Sequence, residues 1–214
     1  SGNESYSKQM LSTLNEAVAN RFDERLAGKD QVHLVLENIN FSVDDLLVVW
    51  EFVRPLFPER YKIFEFFEDA YKGHIQKRIL PFMKDLAFLK ENPGTLVFLF
   101  NWLQSYEKLL AKVGFEMGDF DNLRTEIKKN LPIFFNHLSG LFRDYLRRNA
   151  RNDDAIFAPD HHFETYDTAL PDDIAIFLNH QIDFLVTQIQ GEMLASVFGD
   201  WTKHLTEWID ENVS

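Results

Sequence analysis

Apolar residues recur three or four positions apart along most of the chain, the spacing that lines one face of an α-helix. Met10, Leu11, Leu14, Val18, Phe22 and Leu26 predict a first helix from about Ser5 to Ala27, with Gly28 as its stop. Between Gln31 and Ile39, Val32, Leu34 and Leu36 alternate as in a strand, while Leu36 and Ile39 suit a helical turn; the helical surroundings favour a helix. Ser42 and Asp45 have the spacing of a capping box in its acidic form, ahead of Leu46, Leu47, Val49, Trp50 and Val53. Pro55 should end that helix.

After the corner Pro55, Leu56, Phe57, Pro58 comes the longest stripe: Tyr61, Phe64, Phe67, Tyr71, Ile75, Ile79, Phe82, Leu86 and Leu89. It predicts a helix from Glu59 to Lys90, kinked at Pro81, where a backbone donor is missing and the ring crowds the carbonyl four residues back. Asn92, Pro93 and Gly94 break the chain. The helix from Leu96 to Val113 is apolar around much of its circumference, which predicts a central place, and Gly114 caps it. Phe115 to Phe120 reads as a loop. Leu123 to Tyr145 reads as a helix bent near Pro132.

Arg151 to Leu170 has no period and holds Pro159, so it reads as one long loop. Pro171, Asp172 and Asp173 open a last helix whose stripe runs from Ile174 to Trp208, with carboxylates at the positive end of its dipole. The fold expected is all-α: an elongated antiparallel bundle or rod of helices packed along their lengths, as one domain over residues 1–214. Ser1 and Gly2 look like an expression scar, and the chain reads as a piece of a longer subunit.

Composition narrows the chemistry. Gly and Pro make only 16 of 214 residues, consistent with long elements and few turns. There is no cysteine, which excludes disulfides, thiolate nucleophiles, iron–sulfur clusters and cysteine-based zinc sites. The net charge of -12 argues against nucleic-acid binding, which needs positive surface to displace phosphate counterions. No run of apolar residues is long enough for a spanning helix and no signal peptide is visible, which favours a cytoplasmic setting.

No phosphate-binding loop, dinucleotide fingerprint, zincin motif, nucleophile elbow or calcium loop is present, so neither catalytic residue nor cofactor is expected. Asp160, His161, His162 and Glu164 hold metal-ligating groups, yet adjacent histidines point apart unless the loop bends, and the segment reads as solvated with no metal. A di-iron bundle would need Glu three residues before a helical His. His74, His137, His180 and His204 are preceded there by Tyr71, Phe134, Phe177 and Trp201. His204 reads as a helix-edge histidine.

The basic residues cluster once, at Lys128, Lys129, Arg143, Arg147, Arg148 and Arg151. Arg143, Arg147, Arg148 and Arg151 are the candidate patch for anionic lipid or an acidic partner, diluted by Asp144, Asp153 and Asp154. The 21 phenylalanines fall mostly on the buried stripes and read as core.

Between Asp44 and Gly114 the run DDLLVVWEFVRPLFPERYKIFEFFEDAYKGHIQKRI, a spacer and LVFLFNWLQSYEKLLAKVG resembles the Sec-six family of exocyst subunits (exocyst complex component three). The likeness is carried by the corner Phe57, Pro58, Tyr61, Ile63, Phe64, by Tyr71 on the next helix, and by Trp102, Tyr106 and Gly114. Glu59 stands where the family usually has a second proline. From Leu123 onward the likeness lies in helix order and scattered positions.

The resemblance implies a non-enzymatic helical subunit of the complex that holds secretory vesicles at the plasma membrane before SNARE-mediated fusion. Its implied partners are other exocyst subunits and SNARE proteins, with an anionic membrane surface as a further candidate and no nucleic acid. Its implied place is cytoplasmic, peripheral at plasma-membrane sites of secretion. A related exocyst-like tether, a generic helical protein-interaction or lipid-binding module, and a small-ligand-binding bundle stand as alternatives. The matched residues are apolar and mark no binding site.

Overall fold

The computed structural model describes residues 2–115, 120–156, 170–189 and 191–212, and among them every regular element is helical. The all-α fold is as the apolar periodicity requires. The α-helices are α1 (Gly2–Arg25), α2 (Val32–Ile39), α3 (Phe41–Val48), α4 (Ile63–Lys84), α5 (Leu86–Glu91), α6 (Gly94–Lys112), α7 (Asp121–Ile156), α8 (Leu170–Gln188) and α9 (Glu192–Asn212). They fall into two compact units, residues 1–130 and 131–214, with α7 running from the first into the second.

In the first unit α4 packs against α1, α2 and α3, and α2 packs against α6. The stripes read from the sequence supply much of the core: Phe22 from α1, Leu36 and Ile39 from α2, Leu46 from α3, Ile75 and Ile79 from α4, Leu96 and Tyr106 from α6 are all fully buried. Past Pro81 it is Met83 that is buried, while the expected Phe82 and Leu86 are half-buried and exposed, respectively. Asn130 reaches across to this core, its Nδ2 donating to the Met83 carbonyl at 2.9 Å. Apolar burial of this kind is the main driving force for the fold, at roughly 1.5–3 kcal/mol for each large side chain.

Several boundaries differ from the expectation; the helix expected from Glu59 begins at Ile63, after a 3-10 turn and the left-handed Lys62. The long stripe after Glu59 is interrupted at Asp85, not at Pro81, which lies inside α4. Asp85 is a good helix starter: its Oδ1 accepts from the Phe88 backbone N–H at 3.0 Å, satisfying one of the free donors of the new helix. The expected last helix is two helices, because Gly191 adopts φ of 63°, a left-handed conformation that ends helices and that glycine adopts without steric cost. The span expected as one loop is helical from Arg151 to Ile156 and again at Leu170. Residues 157–169 between them, with Asp160, His161, His162 and Glu164, lie outside the described residues.

Gly114 behaves as expected. At φ of 81° it lets its own N–H bond to the Ala111 carbonyl and the Phe115 N–H bond to the Leu110 carbonyl, a Schellman closure with Phe115 buried beside it.

The capping box is not formed. Ser42 is fully buried, where its hydroxyl donates to the Ile39 carbonyl and lies 2.7 Å from the Tyr106 hydroxyl. Asp45 instead takes two bonds from Arg21, at 3.0 and 3.2 Å, and one from the Tyr71 hydroxyl at 2.9 Å. The residues that resembled a local cap tie α3 to α1, α4 and α6. The Asp45 hydrogen bond and charge raise the Arg21 pKa further above its ordinary value. Burial, then the Asp45 charge, raises that of Tyr71, and burial pushes Tyr106 up to about 12.

In the second unit Phe142 is fully buried, stacked on Phe177 at 6.0 Å and packed on Trp201 at 5.4 Å, and Val197 and Leu185 are buried with it. Tyr145 lies 3.8 Å from Phe177 between ring centroids, and its hydroxyl donates to the Asp173 carbonyl at 2.7 Å. Ser139 donates to Asp200 across from α7 to α9.

Candidate docking surface

Pro55 shapes the end of the α3 segment. It cannot donate to the carbonyl four residues back, and its ring crowds that carbonyl. The chain widens into a π-helical turn over Val49–Val53, in which the Arg54 backbone N–H bonds the Val49 carbonyl, and then tightens into a 3-10 turn over Arg54–Leu56. A second 3-10 turn, Glu59–Tyr61, leads to Lys62 at φ of 45°, the one non-glycine residue with positive φ among the described residues. Left-handed backbone at such a residue costs about 1–3 kcal/mol and persists only where its surroundings hold it.

This corner exposes apolar side chains. Leu56 is 79% exposed, Phe52 65%, Val48 52% and Trp50 41%. Trp50 is nonetheless held in place: its ring meets Phe64 edge-on at 4.8 Å and lies 5.9 Å from Phe115, while the Arg54 guanidinium sits 3.9 Å over its other side. Phe57 packs edge-on against Tyr61. An exposed group of large apolar residues on a fixed platform is the usual mark of a surface that another molecule covers. Of the stripe read from the sequence, Leu46 and Val49 are buried and Val53 is half-buried, whereas Trp50 is left exposed in the π-helical turn.

The basic run is placed differently. Arg143, Arg147 and Arg148 are exposed on α7, each off the face that buries Phe142 and Leu146. Arg151 is also on α7. Arg143 Nε donates to the Ser139 carbonyl at 3.4 Å and Arg147 is 3.8 Å from Asp144. Arg143 and Arg147 also line a groove of about 210 Å³ with His204, Glu207, Trp208 and Glu211 of α9, so carboxylates already face them. Earlier on α7, Lys129 pairs with Glu126 at 3.4 Å. His204 is largely buried at the helix edge, 3.3 Å from Glu207 and 3.7 Å from Asp200.

Among the described residues no cluster of His, Asp and Glu is arranged to hold a metal ion, and no helix is long and apolar enough to cross a membrane. Burial, and then the charges of Glu65 and Asp69, raise the half-buried Glu68 of α4 to about 7. Burial first, then Lys77 and Arg78, lower His74, whose ring stacks on Phe22.

A protein-family model described as exocyst complex component Sec6 matches residues 3–157. The chain belongs to that family. The matched region contains the exposed corner and the basic run, and extends the likeness well beyond the Asp44–Gly114 stretch in which it was legible. No curated protein and no solved structure matches the chain.

Proposed function

We propose that the chain serves as a non-enzymatic part of the exocyst, holding secretory vesicles at the plasma membrane before SNARE-mediated fusion, and that the corner around Trp50 is where another exocyst subunit docks. The observation that carries this reading is the family match over residues 3–157. It is supported by the corner itself: Phe52 and Leu56 are exposed along a segment whose Trp50 ring is fixed by Phe64, Phe115 and the Arg54 guanidinium. SNARE proteins are further partners under this reading, and its setting is cytoplasmic and peripheral at sites of secretion.

Affinity purification with cross-linking, using the chain as bait in cytosol of its source, tests the proposal. Recovery of other exocyst subunits, cross-linked at Lys62 near the corner, is the expected outcome. Recovery of none by a folded bait would contradict it.

A second reading concerns Arg143, Arg147, Arg148 and Arg151 as a contact for anionic lipid or an acidic partner. The exposed Arg148, which lies outside the groove shared with Glu207 and Glu211, favours it. Binding to phosphatidylserine vesicles should then weaken with salt and with Arg148→Glu; binding that is flat from low to physiological salt would remove the lipid form.

A further inference from the structure

On the first unit, away from the Trp50 corner in sequence, α6 and the end of α2 border a cleft of about 320 Å³. Its lining is Asn40, Trp102, Ser105, Tyr106, Lys108, Leu109 and Lys112. In a chain with 34 acidic residues against 22 basic ones, this lining contains two lysines and no carboxylate. Lys108 and Lys112 are both exposed, and neither has an ion-pair partner among the described residues. The dipole of α6 accounts for a lysine in its last turn, where Lys112 stands, but not for Lys108 one turn earlier.

The walls are equally specific. Trp102 stacks on Tyr106 at 5.2 Å with the rings 22° from parallel, and Leu109 continues the apolar side. The Tyr106 hydroxyl is already taken by Ser42. The Trp102 indole N–H has neither exposed surface nor an acceptor, a cost that native structures rarely leave standing. A stiff aromatic wall and two exposed ammonium groups, with no carboxylate in the lining and no ion-pair partner among the described residues, form a set of donors lacking its acceptors.

We infer that this cleft receives an acidic helical segment of a protein partner, with two of the segment's carboxylates meeting Lys108 and Lys112 and an apolar side chain lying against Trp102 and Leu109. The spacing supports a helix: residues i and i+4 are neighbours one turn apart on α6, and Glu or Asp at i and i+4 on a facing helix would repeat that interval. The apolar wall supports a protein segment over a lipid headgroup, which offers charge without a side chain to bury. The inference stands on the cleft alone, independently of the exocyst reading.

The test is a titration of the 15N-labelled chain with a capped helical peptide carrying Glu at i and i+4 beside one Leu, following the Trp102 indole resonance identified with Trp102→Phe. The indole resonance should shift on binding. The Gln form of the peptide and the Lys108→Glu, Lys112→Glu double variant should each weaken binding about tenfold, in line with two exposed ion pairs lost. A peptide with Lys at both positions should bind the double variant better than the parent. An unmoved indole resonance, equal binding of the Gln and Glu peptides, or a Lys peptide that fails to restore binding would overturn the inference. Displacement of the peptide by phosphatidylserine vesicles at physiological salt would assign the lysines to lipid and overturn it equally. Both lysines are exposed, so the double variant should keep the parent's circular dichroism.

Discussion

The Tyr71 hydroxyl donates to the Asp45 carboxylate at 2.9 Å, bridging α4 and α3 across the first unit, and Arg21 of α1 holds the same carboxylate from the other side. Three helices therefore meet at one carboxylate that sequence spacing had assigned to a local cap. Asp45→Ala should cost about 2 kcal/mol, because it leaves the buried Tyr71 hydroxyl without its acceptor and Arg21 without its partner. Tyr71→Phe should cost about 1 kcal/mol. Urea midpoints measure both, and an Asp45→Ala midpoint equal to the parent's would contradict the bridge.

Ser42 and Tyr106 form the second such link, at 2.7 Å inside the core. Removing the Ser42 hydroxyl strands that of Tyr106, while Ser42 keeps the Ile39 carbonyl without Tyr106, so Ser42→Ala should cost about 1–2 kcal/mol and Tyr106→Phe about 1 kcal/mol. The double variant should cost clearly less than their sum. Strict additivity in a double-mutant cycle would show that the two hydroxyls do not interact.

Phe22 lies on the first apolar stripe and Trp102 on the helix expected to be central, and the two separate in the structure. Phe22 is fully buried, so Phe22→Ala should cost about 3–5 kcal/mol. Trp102 is only partly buried at the rim of the lysine cleft, and Trp102→Ala should cost about half as much. Equal losses of denaturation midpoint would return Trp102 to the core.

Glu68 makes stability fall as pH rises. Its folded pKa, about 7, lies above the ordinary 4.5, so the folded state binds the proton more tightly. The stabilisation is complete below about pH 4.5 and is lost as pH rises through 7. His74 acts oppositely: its pKa is lowered from 6.5, so its protonation opposes the fold as pH falls through that region. The parent and Glu68→Gln should therefore be compared at each pH. The melting temperature of the variant should gain on the parent's between pH 5 and 8, and a constant difference would remove the Glu68 contribution.

Most of the helical skeleton was legible because it is set by local rules. Apolar periodicity marked the faces, and Gly28, Gly114 and the Asn92, Pro93, Gly94 break marked ends that the structure keeps. What was not legible depends on contacts distant in sequence. Asp45 looks like a cap until α1 and α4 bring Arg21 and Tyr71 to it. Gly191 was read through because the apolar stripe stays in phase on both sides of it, so nothing in the period signals the left-handed turn. The docking corner was hidden because Phe52 and Leu56 fall off the apolar stripe, and Trp50, which lies on it, is left exposed by the π-turn before Pro55. An apolar stripe running directly into proline was the available signal. The lysine cleft had none, since Asn40 and Lys108 meet only through the packing of α2 on α6.

The central claim is that this chain docks another exocyst subunit through the corner exposing Phe52 and Leu56. The most direct measurement is the dissociation constant between the purified chain and each purified exocyst subunit from the same source, by isothermal titration, for the parent and for a Phe52→Ser, Leu56→Ser double variant. Both side chains are solvent-exposed, so the variant should melt at the parent's temperature. The account predicts at least one subunit bound by the parent and bound tenfold or more weakly by the variant. Failure of every subunit to bind the folded parent would contradict the exocyst role, and equal binding by parent and variant would contradict the corner.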